Sequence, residues 1–469
     1  MVRVAGRGRH GALAAALAFL ICFAALLAAG SRVPPRDLAH FDQKFYVTTA
    51  WDLLRWGTFS DGFFDRVDSS SEPPPPGMFL GPGYPVLLAG LMRLDPALRD
   101  AAGCAVRHLP SDDAAARCPA YRGLVGWVND ALVAGALALL LLAALRVTGR
   151  PVVAVLATAL GLGTLLGYSR LFNLAMTESL ALFLFSAATL LFLVAFEGPR
   201  RWVALAGGAA LGLLILTRPS HIVLAPLALA ALLLFAPRRL VAGALFGLGL
   251  AAALLPWAVR NELVLGRFAL TAGYGPAVLI ERMAYNGMTP REFGLSFLYW
   301  LPDFGDALTG RLFGPEAAAR LDWDQPGSLY DIGQHRRHAA LEAPGGADAA
   351  LPVLLREEVL GKPLAYAGST LSLAWRGLWV GRYWGVAMIL LLPLGLAAAR
   401  RAGRLTPLLI YAAPAWIMLA VHAGASVNQD RYNLALIFGL STAASLAIAS
   451  LGSRRWPALG VAAEGGGRA

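Results

Sequence analysis

Charged residues are scarce in this chain, and their scarcity excludes a soluble protein. Of the 469 residues, 15% are charged and 57% are hydrophobic, and the mean hydropathy is +0.59. A soluble protein of this size has too little interior to bury so much apolar surface. The composition therefore indicates a multi-span membrane protein.

Lysine is nearly absent, because Lys44 and Lys362 are the only two lysines and arginine carries almost all of the positive charge. A net charge of +11 is also typical of nucleic-acid binding. Here, however, the arginines cluster in short links between apolar runs, as they do in the cytoplasmic loops of membrane proteins. We therefore expect membrane lipids, and no nucleic acid, as partners. The clusters are Arg3, Arg7 and Arg9; Arg146 and Arg150; Arg200 and Arg201; Arg238 and Arg239; Arg400, Arg401 and Arg404; Arg454 and Arg455.

Cysteine is rare as well, with three in the chain. Cys22 lies inside the first apolar run, and we interpret it as a packing residue. Cys104 and Cys118 lie in the first external loop, where a disulfide would contribute about 3 kcal/mol in the chain-entropy picture; the alternative is two free thiols. No Cys-x-x-Cys pair and no histidine spacing typical of metal ligands occurs. The sequence therefore assigns no metal site, and a divalent metal as cofactor stays open.

The chain also lacks an internal repeat, a Gly-rich phosphate loop and a soluble nucleotide-sugar domain. Because many transporters are built from repeats, the first absence weighs against a transporter. The other two fit a donor that is already activated on a lipid.

What the chain does have is a series of apolar runs. Since roughly 20 apolar residues span a bilayer as a helix, we predict an all-α polytopic protein with about ten spans, twelve being the alternative. With the N-terminus inside, every arginine cluster and both termini are cytoplasmic. The first run is interpreted as a retained span rather than a signal peptide. The runs cover approximately residues 11–30, 124–145, 152–168, 177–196, 202–216, 222–235, 240–259, 385–399, 405–421 and 432–451.

This arrangement divides the chain into three regions. Residues 1–259 form a transmembrane core that includes a first external loop, 31–122. Residues 260–383 form a long external region, and residues 384–469 hold the last spans and a cytoplasmic tail. We expect interfacial helices at 45–56 and 84–92 in the first loop. The short apolar stretch at 293–301 in the long region is either another interfacial helix or part of a further pair of spans.

Asp42 follows the first span by about a dozen residues, which places a carboxylate near the membrane surface on the non-cytoplasmic side. A carboxylate there suits a general base, or a ligand to a metal that organises a phosphate, because partial desolvation raises its pKa. The alternative is a solvated loop acid or a helix N-cap, since an amphipathic helix follows. The residue types alone leave these alternatives open.

A series of motifs resembles the GT-C glycosyltransferases, most closely the branch of glycosyltransferase family 39, the protein mannosyltransferases and the bacterial aminoarabinose transferases. The first motif is Phe41-Asp42-Gln43…Phe45-Tyr46, followed by Leu53-Leu54, Gly57 and Phe59. The other matches are Pro73–Pro76 with Pro82-Gly83-Tyr84-Pro85, Tyr168-Ser169-Arg170…Thr177-Glu178-Ser179-Leu180, Leu216-Thr217-Arg218-Pro219, Pro256-Trp257…Arg260-Asn261…Gly266-Arg267-Phe268, and Asp430-Arg431-Tyr432. Relatives usually carry a second acid where this chain has Gln43. Residues 285–344 match no family motif.

The resemblance implies an integral-membrane glycosyltransferase, hexosyl- or pentosyl-, in a bacterial inner membrane. It would move a sugar from a polyprenyl-phosphate donor to an envelope lipid, glycan or protein on the periplasmic face. Asp42 would be the single catalytic acid and act as the base. The alternatives are a polysaccharide polymerase or ligase that uses a diphosphate-linked donor, and a lipid-linked-sugar flippase or transporter. The donor sugar, the acceptor and the oligomeric state are not determined.

Four further charged residues fall at the outer ends of predicted spans. Glu178 would position the acceptor or support Asp42; the alternative is a structural pair with Arg170. Arg218, Arg260 and Arg431 would bind the donor phosphate, because guanidinium groups bind phosphate bidentately. For each arginine the alternative is an interfacial side chain or a structural ion pair.

Overall fold

The computed structural model describes residues 2–62, 72–109, 118–198 and 201–455. The expected cytoplasmic tail after Arg455 lies outside these ranges. Within them the backbone forms helices, and its β-type pairing is confined to two isolated bridges. This confirms the predicted all-α class. A chain that crosses a bilayer must satisfy its backbone hydrogen bonds internally, and helices do so within each segment.

Twenty α-helices account for most of the described residues. In the first part of the chain they are α1 (Val2–Gly30), α2 (Gln43–Trp56), α3 (Gly83–Leu94), α4 (Pro96–His108), α5 (Leu124–Thr148), α6 (Pro151–Leu166), α7 (Ser169–Phe172), α8 (Glu178–Glu197), α9 (Arg201–Thr217), α10 (Leu224–Phe235) and α11 (Arg239–Leu265). In the second part they are α12 (Tyr274–Met283), α13 (Pro290–Tyr299), α14 (Gly305–Phe313), α15 (Leu329–Glu342), α16 (Gly346–Leu354), α17 (Pro363–Leu378), α18 (Tyr383–Arg401), α19 (Leu405–Ala425) and α20 (Leu436–Arg455).

Each of the ten predicted apolar runs coincides with a helix. Among the described residues, six helices (α1, α5, α8, α11, α18 and α19) are individually long and apolar enough to cross a membrane. Shorter apolar helices include α6, α9 and α20. The protein is therefore a multi-pass membrane protein, while the number of spans stays a prediction. Helices also form at the two segments expected to be interfacial, as α2 and α3, and at the stretch 293–301, as α13.

Glycine permits the tightest helix pair in the membrane core. On α9, a Cβ at Gly208 would lie 1.9 Å from the Phe246 carbonyl oxygen of α11. On α11, a Cβ at Gly249 would lie 2.0 Å from the Leu205 carbonyl oxygen of α9. Small residues let membrane helices approach this closely, and packing between helices replaces the hydrophobic effect as the stabilising force.

The first external loop folds into its own apolar cluster of α2, α3 and α4. Asp95 caps α4 through the N–H groups of Ala97 and Leu98 and accepts a 2.6 Å hydrogen bond from the Tyr121 hydroxyl. Cys104 and Cys118 are joined by a disulfide. These contacts fix the loop against the N-terminal end of α5. The fixed loop in turn holds the start of α2 in place.

The long region between α11 and α18 contains α12 to α17, connected by short 3₁₀ and π turns. Two small apolar clusters hold it together, one around Tyr285 and Leu329 and one around Ile280 and Ala347. Its helices cover one side of a large cavity, whose other side consists of the start of α2 and the ends of membrane helices.

Candidate functional site

A cavity of about 1630 Å³ lies between the first external loop, the long external region and the ends of the membrane helices. It exceeds the roughly 300–1,000 Å³ of a typical small-ligand pocket, so it has room for two reactants. Its wall is predominantly basic, with nine Arg or Lys side chains and four acidic ones. These are Arg36, Lys44, Arg122, Arg170, Arg218, Arg337, Arg376, Arg382 and Arg431, with Asp42, Glu281, Asp303 and Asp430.

Asp42 lines this cavity and does not cap a helix. It precedes α2, but its own backbone is helical and its carboxylate caps no N–H group. Instead Arg431 Nη2 donates a 2.8 Å hydrogen bond to Asp42 Oδ2. Phe41, directly before it, has a φ of 55°, a strained conformation for a bulky residue that is found mainly where function requires it. The N-cap alternative is therefore wrong.

Gln43, which stands where relatives carry an acid, is buried and fully engaged. Its amide nitrogen donates to the carbonyl oxygens of Asp37 and His40, at 3.2 and 3.1 Å. Its amide oxygen accepts a 2.8 Å hydrogen bond from the Ala175 N–H group. Gln43 thus ties the segment carrying Asp42 to the segment that leads into α8. A carboxylate cannot donate to two carbonyl oxygens, so this environment selects an amide.

Glu178 begins α8 and is 3% exposed. Arg218 Nη2 donates a 3.1 Å hydrogen bond to its Oε1 atom, and Arg431 Nη1 lies 3.9 Å from the same oxygen. The structural pair with Arg170 is therefore wrong, because Glu178 pairs with the other two arginines. Removing one partner from a buried ion pair leaves an uncompensated charge, so these groups depend on each other.

Arg431 is the centre of this charged chain, since it contacts both Asp42 and Glu178. Burial disfavours its charged form, but Tyr432 and the two carboxylates together raise the pKa of Arg431 above its ordinary value. The Nε atom of Arg431 and Oε2 of Glu178 are buried without a hydrogen-bond partner among the described residues. Such atoms are rare in proteins and commonly mark functional positions.

Arg260 is not part of the site. Its guanidinium donates to the carbonyl oxygens of Gly77 and Phe59, at 2.7 and 3.1 Å, and to Asn261 Oδ1 at 2.9 Å. It also lies over the Trp257 ring and is absent from the cavity wall. The predicted phosphate-binding role of Arg260 is therefore wrong, because backbone carbonyls of the first loop occupy its donors.

The long region contributes a second charged pair that the sequence did not single out. Arg337 Nη1 of α15 donates a 3.0 Å hydrogen bond to Glu281 Oε2 of α12. Burial raises the pKa of Glu281, and the Arg337 charge lowers it. Only the packing of two helices distant in sequence brings Arg337 to Glu281.

Strained backbone is concentrated at the cavity. Among the described residues, four besides glycine have a positive φ: Phe41, Asp303, Arg382 and Asn428. The first three line the cavity, and the fourth lies between two residues that do. Arg382 Nη1 is 3.1 Å from Asp303 Oδ1, so two strained residues meet in one ion pair. Such strain persists only where the surroundings enforce it.

A hydrogen-bonded chain of three side chains also lies at the cavity. Asn433 donates through Nδ2 to Asn428 Oδ1 at 2.7 Å, which directs its oxygen to His422 Nδ1 at 3.0 Å. The amide orientation assigns the proton to Nδ1 of His422 and leaves Nε2 as an acceptor. Nε2 faces the hydroxyl of Ser220 at 3.3 Å. The His422 ring is therefore held between Asn433 and Ser220 at the cavity wall.

A candidate metal-binding group occurs away from the cavity. In the described ranges, Cys104, His108 and Cys118 place three ligand atoms within 4.8 Å of one another. The two sulfurs are joined to each other, so they offer no thiolates to a metal.

No family model and no curated protein matches the chain. Among solved structures, it is similar to a crystal structure of ArnT from Cupriavidus metallidurans bound to undecaprenyl phosphate. The identity is 14%, the match covers 96% of this chain and 80% of that one, and the TM-score is 0.34.

Proposed function

We propose that this protein is an integral-membrane glycosyltransferase that moves a sugar from a polyprenyl-phosphate donor to an acceptor hydroxyl beside Asp42. The observation that carries the proposal is the chain of contacts Asp42–Arg431–Glu178–Arg218 at a large cavity. Four residues from distant parts of the sequence meet there, and each was expected near the membrane surface on the non-cytoplasmic side.

The reaction is a single displacement. The acceptor oxygen forms a bond to the anomeric carbon, while the bond from that carbon to the phosphate oxygen breaks and its electron pair stays on the phosphate. The proton of the acceptor hydroxyl goes to Asp42. Because one carboxylate acts without a covalent intermediate, the configuration at the anomeric carbon inverts, as it does in glycosidases of the inverting type.

Arg431 directs Asp42, because its guanidinium donates a charge-assisted hydrogen bond to the Asp42 carboxylate. Glu178 in turn balances Arg431 and Arg218, so this group of four has no net charge. The role of Glu178 is thus to support Asp42 through Arg431.

The donor phosphate requires positive charge beyond this balanced group. Arg218 and Arg431 retain N–H groups for a phosphate oxygen, but their charges are compensated. Lys44 and Arg170 line the same cavity and lie close in sequence to Asp42 and Glu178, respectively. We assign the electrostatic stabilisation of the leaving phosphate to these two groups together with Arg218 and Arg431.

The proposed site faces the periplasm. The N-terminal end of α5 and the segment before α8 line the cavity. At the opposite ends of these two helices, Arg146 and Glu197 form a 2.7 Å ion pair. Arg404, at the start of α19, lies next to Gly149 on that same side. Since arginine clusters mark the cytoplasmic side, this arrangement supports an active site on the other face.

The proposal is tested in cells that lack the gene, by mass analysis of envelope glycans, lipids and proteins. We expect one sugar modification to disappear, to return with the wild-type gene and to stay missing with Asp42→Asn. The matched control is Asp100→Asn, because Asp100 is a highly exposed carboxylate in the same external loop. Restoration of the modification by Asp42→Asn would refute the assignment.

The lipid that accumulates separates this function from its rivals. A sugar linked through one phosphate to a polyprenol should accumulate in the deletion strain and in the Asp42→Asn strain. Accumulation of a diphosphate-linked saccharide would instead identify a polymerase or ligase. If the protein were a transporter, its loss would leave the donor intact on the cytoplasmic side of the membrane. An impermeant label added from outside would then not reach the donor.

A further inference from the structure

The Glu281–Arg337 pair lies in the same chamber as Asp42 but is not used by the displacement. Glu281 and Arg337 both line the cavity, and the Asp42 charge contributes to raising the pKa of Glu281. They belong to α12 and α15 of the long external region, whereas Asp42 precedes α2. The cavity therefore has a second polar wall besides the one that carries Asp42.

From this wall we infer a recognition subsite for the donor sugar, formed by Glu281, Arg337 and Gln334, that selects an uncharged, polyhydroxylated ring. The inference rests on the function proposed above and adds the class of sugar.

The donors and acceptors of the three side chains fit a sugar. The carboxylate and the amide oxygen accept from hydroxyl groups, and the guanidinium and the amide nitrogen donate to hydroxyl oxygens. Among the described residues Arg337 has one hydrogen bond, to Glu281, so a group with five N–H donors retains several at the cavity wall. Adjacent donors and acceptors of this kind match neighbouring hydroxyls on one ring.

The charge of the subsite decides between classes of sugar. Glu281 is 3% exposed, and its charge is balanced by Arg337 at 3.0 Å. An ammonium group on the sugar that contacts Glu281 would compete with Arg337 for the carboxylate, and a sugar carboxylate that contacts Arg337 would compete with Glu281 for the guanidinium. In a buried site the repulsion from the displaced partner is screened little by solvent. A neutral sugar leaves the ion pair intact.

Aromatic side chains supply the apolar contact that a sugar ring also requires. Tyr274 lies beneath Arg337, with 5.9 Å between the guanidinium carbon and the ring centroid. Tyr330 stacks on Trp323, with ring centroids 3.6 Å apart. All three rings line the cavity, and flat aromatic faces pack on the C–H groups of a pyranose. The subsite thus has polar groups on its wall and apolar surfaces beside them.

The experiment uses the full-length protein in nanodiscs with two synthetic donors on one short polyprenyl phosphate. One donor carries a neutral hexose, and the other carries the corresponding 2-amino-2-deoxyhexose. Binding is measured by the quenching of tryptophan fluorescence. The wild type should bind the neutral donor about ten- to hundredfold more tightly, the range expected for one hydrogen bond to a charged group.

Glu281→Gln and Arg337→Gln should remove this preference, weaken binding of the neutral donor by a similar factor, and leave binding of the sugar-free lipid unchanged. The matched control is Glu292→Gln, which changes another ion pair of the same region, with Arg320 at 3.0 Å, outside the cavity wall. This control should keep the preference and should report any loss of folding by its thermal unfolding.

Equal binding of the two donors by the wild type, or tighter binding of the aminosugar donor, would overturn the inference. So would identical behaviour of Glu281→Gln and Glu292→Gln. Because binding is measured without turnover, the result is independent of Asp42. A preference for the neutral donor together with an active Asp42→Asn enzyme would refute the proposed function while supporting the subsite.

Discussion

Gln43→Glu is the substitution that most directly tests how the Asp42 segment is held. Relatives usually carry an acid at this position, so the substitution would give this chain their usual pair of carboxylates. In this chain the Gln43 amide donates to two backbone carbonyl oxygens and accepts from one N–H group. We therefore expect Gln43→Glu to lower both the stability and the transfer activity of the protein.

The expected loss of stability follows from the three hydrogen bonds of the Gln43 amide. An ionised glutamate at this position would keep the bond from the Ala175 N–H group but would direct charge at two carbonyl oxygens. Each buried group left unpaired costs about 1–3 kcal/mol, so the total is roughly 2–6 kcal/mol. Protonation of the new carboxyl would recover one donor, and low pH should therefore recover part of the loss. The folded protein raises the pKa of this new carboxyl above its unfolded-state value. The loss of folding stability in Gln43→Glu therefore grows as the pH rises.

The assay combines thermal unfolding in detergent with sugar transfer in cells. Gln43→Glu should lower the unfolding temperature and the transfer rate, and acidification from neutral pH should reduce the difference in stability. Gln325→Glu is the control, because it makes the same chemical change at an exposed position. Full activity and wild-type stability of Gln43→Glu at neutral pH would refute the inferred contacts.

Three further predictions concern other parts of the fold. Glu178→Gln should lower stability by about 3 kcal/mol, measured by thermal unfolding, because two partly buried arginines lose the buried carboxylate that balances their charge; unchanged stability would contradict this network. Gly208→Ala should destabilise the protein, since its Cβ would meet a backbone oxygen at 1.9 Å, whereas Gly247→Ala in the neighbouring helix meets nothing within 4 Å and should be neutral; equal unfolding temperatures would be inconsistent with this packing. Replacing both Cys104 and Cys118 by serine should cost about 3 kcal/mol in the chain-entropy picture, and alkylation of unreduced wild-type protein at either position would contradict the disulfide.

The contact between Asp42 and Arg431 changes the interpretation of both residues. From sequence, the first was a base and the second a phosphate ligand. In the fold they are hydrogen-bonded at 2.8 Å, so the arginine sets the direction of the carboxylate. A single substitution at either position therefore disturbs both. Comparison of Asp42→Asn with Arg431→Ala measures the coupling only when the double variant is included.

Position along the chain did not reveal which of Arg260 and Arg431 faces the cavity. Both follow or precede a membrane helix at its outer end, and both were expected to face a phosphate. The Arg260 side chain points from α11 to the carbonyl oxygens of the first loop, whereas Arg431 lies on a 3₁₀ turn that faces the cavity. The difference lies in the angle at which each side chain leaves its element, and hydropathy carries no information about that angle.

Hydropathy by itself predicted the all-α membrane class and the ten apolar segments. It could do so because a backbone inside a bilayer must form its hydrogen bonds within its own helix, whatever that helix packs against. The sequence also indicated Asp42, Glu178, Arg218 and Arg431, since charges at the outer ends of spans are costly without a purpose. Only the tertiary structure decided which charges pair, that Gln43 must be an amide, and that Glu281 and Arg337 meet at the cavity wall. Local sequence fixes the hydrogen bonds of a helix, but ion pairs depend on the packing of elements that can lie hundreds of residues apart.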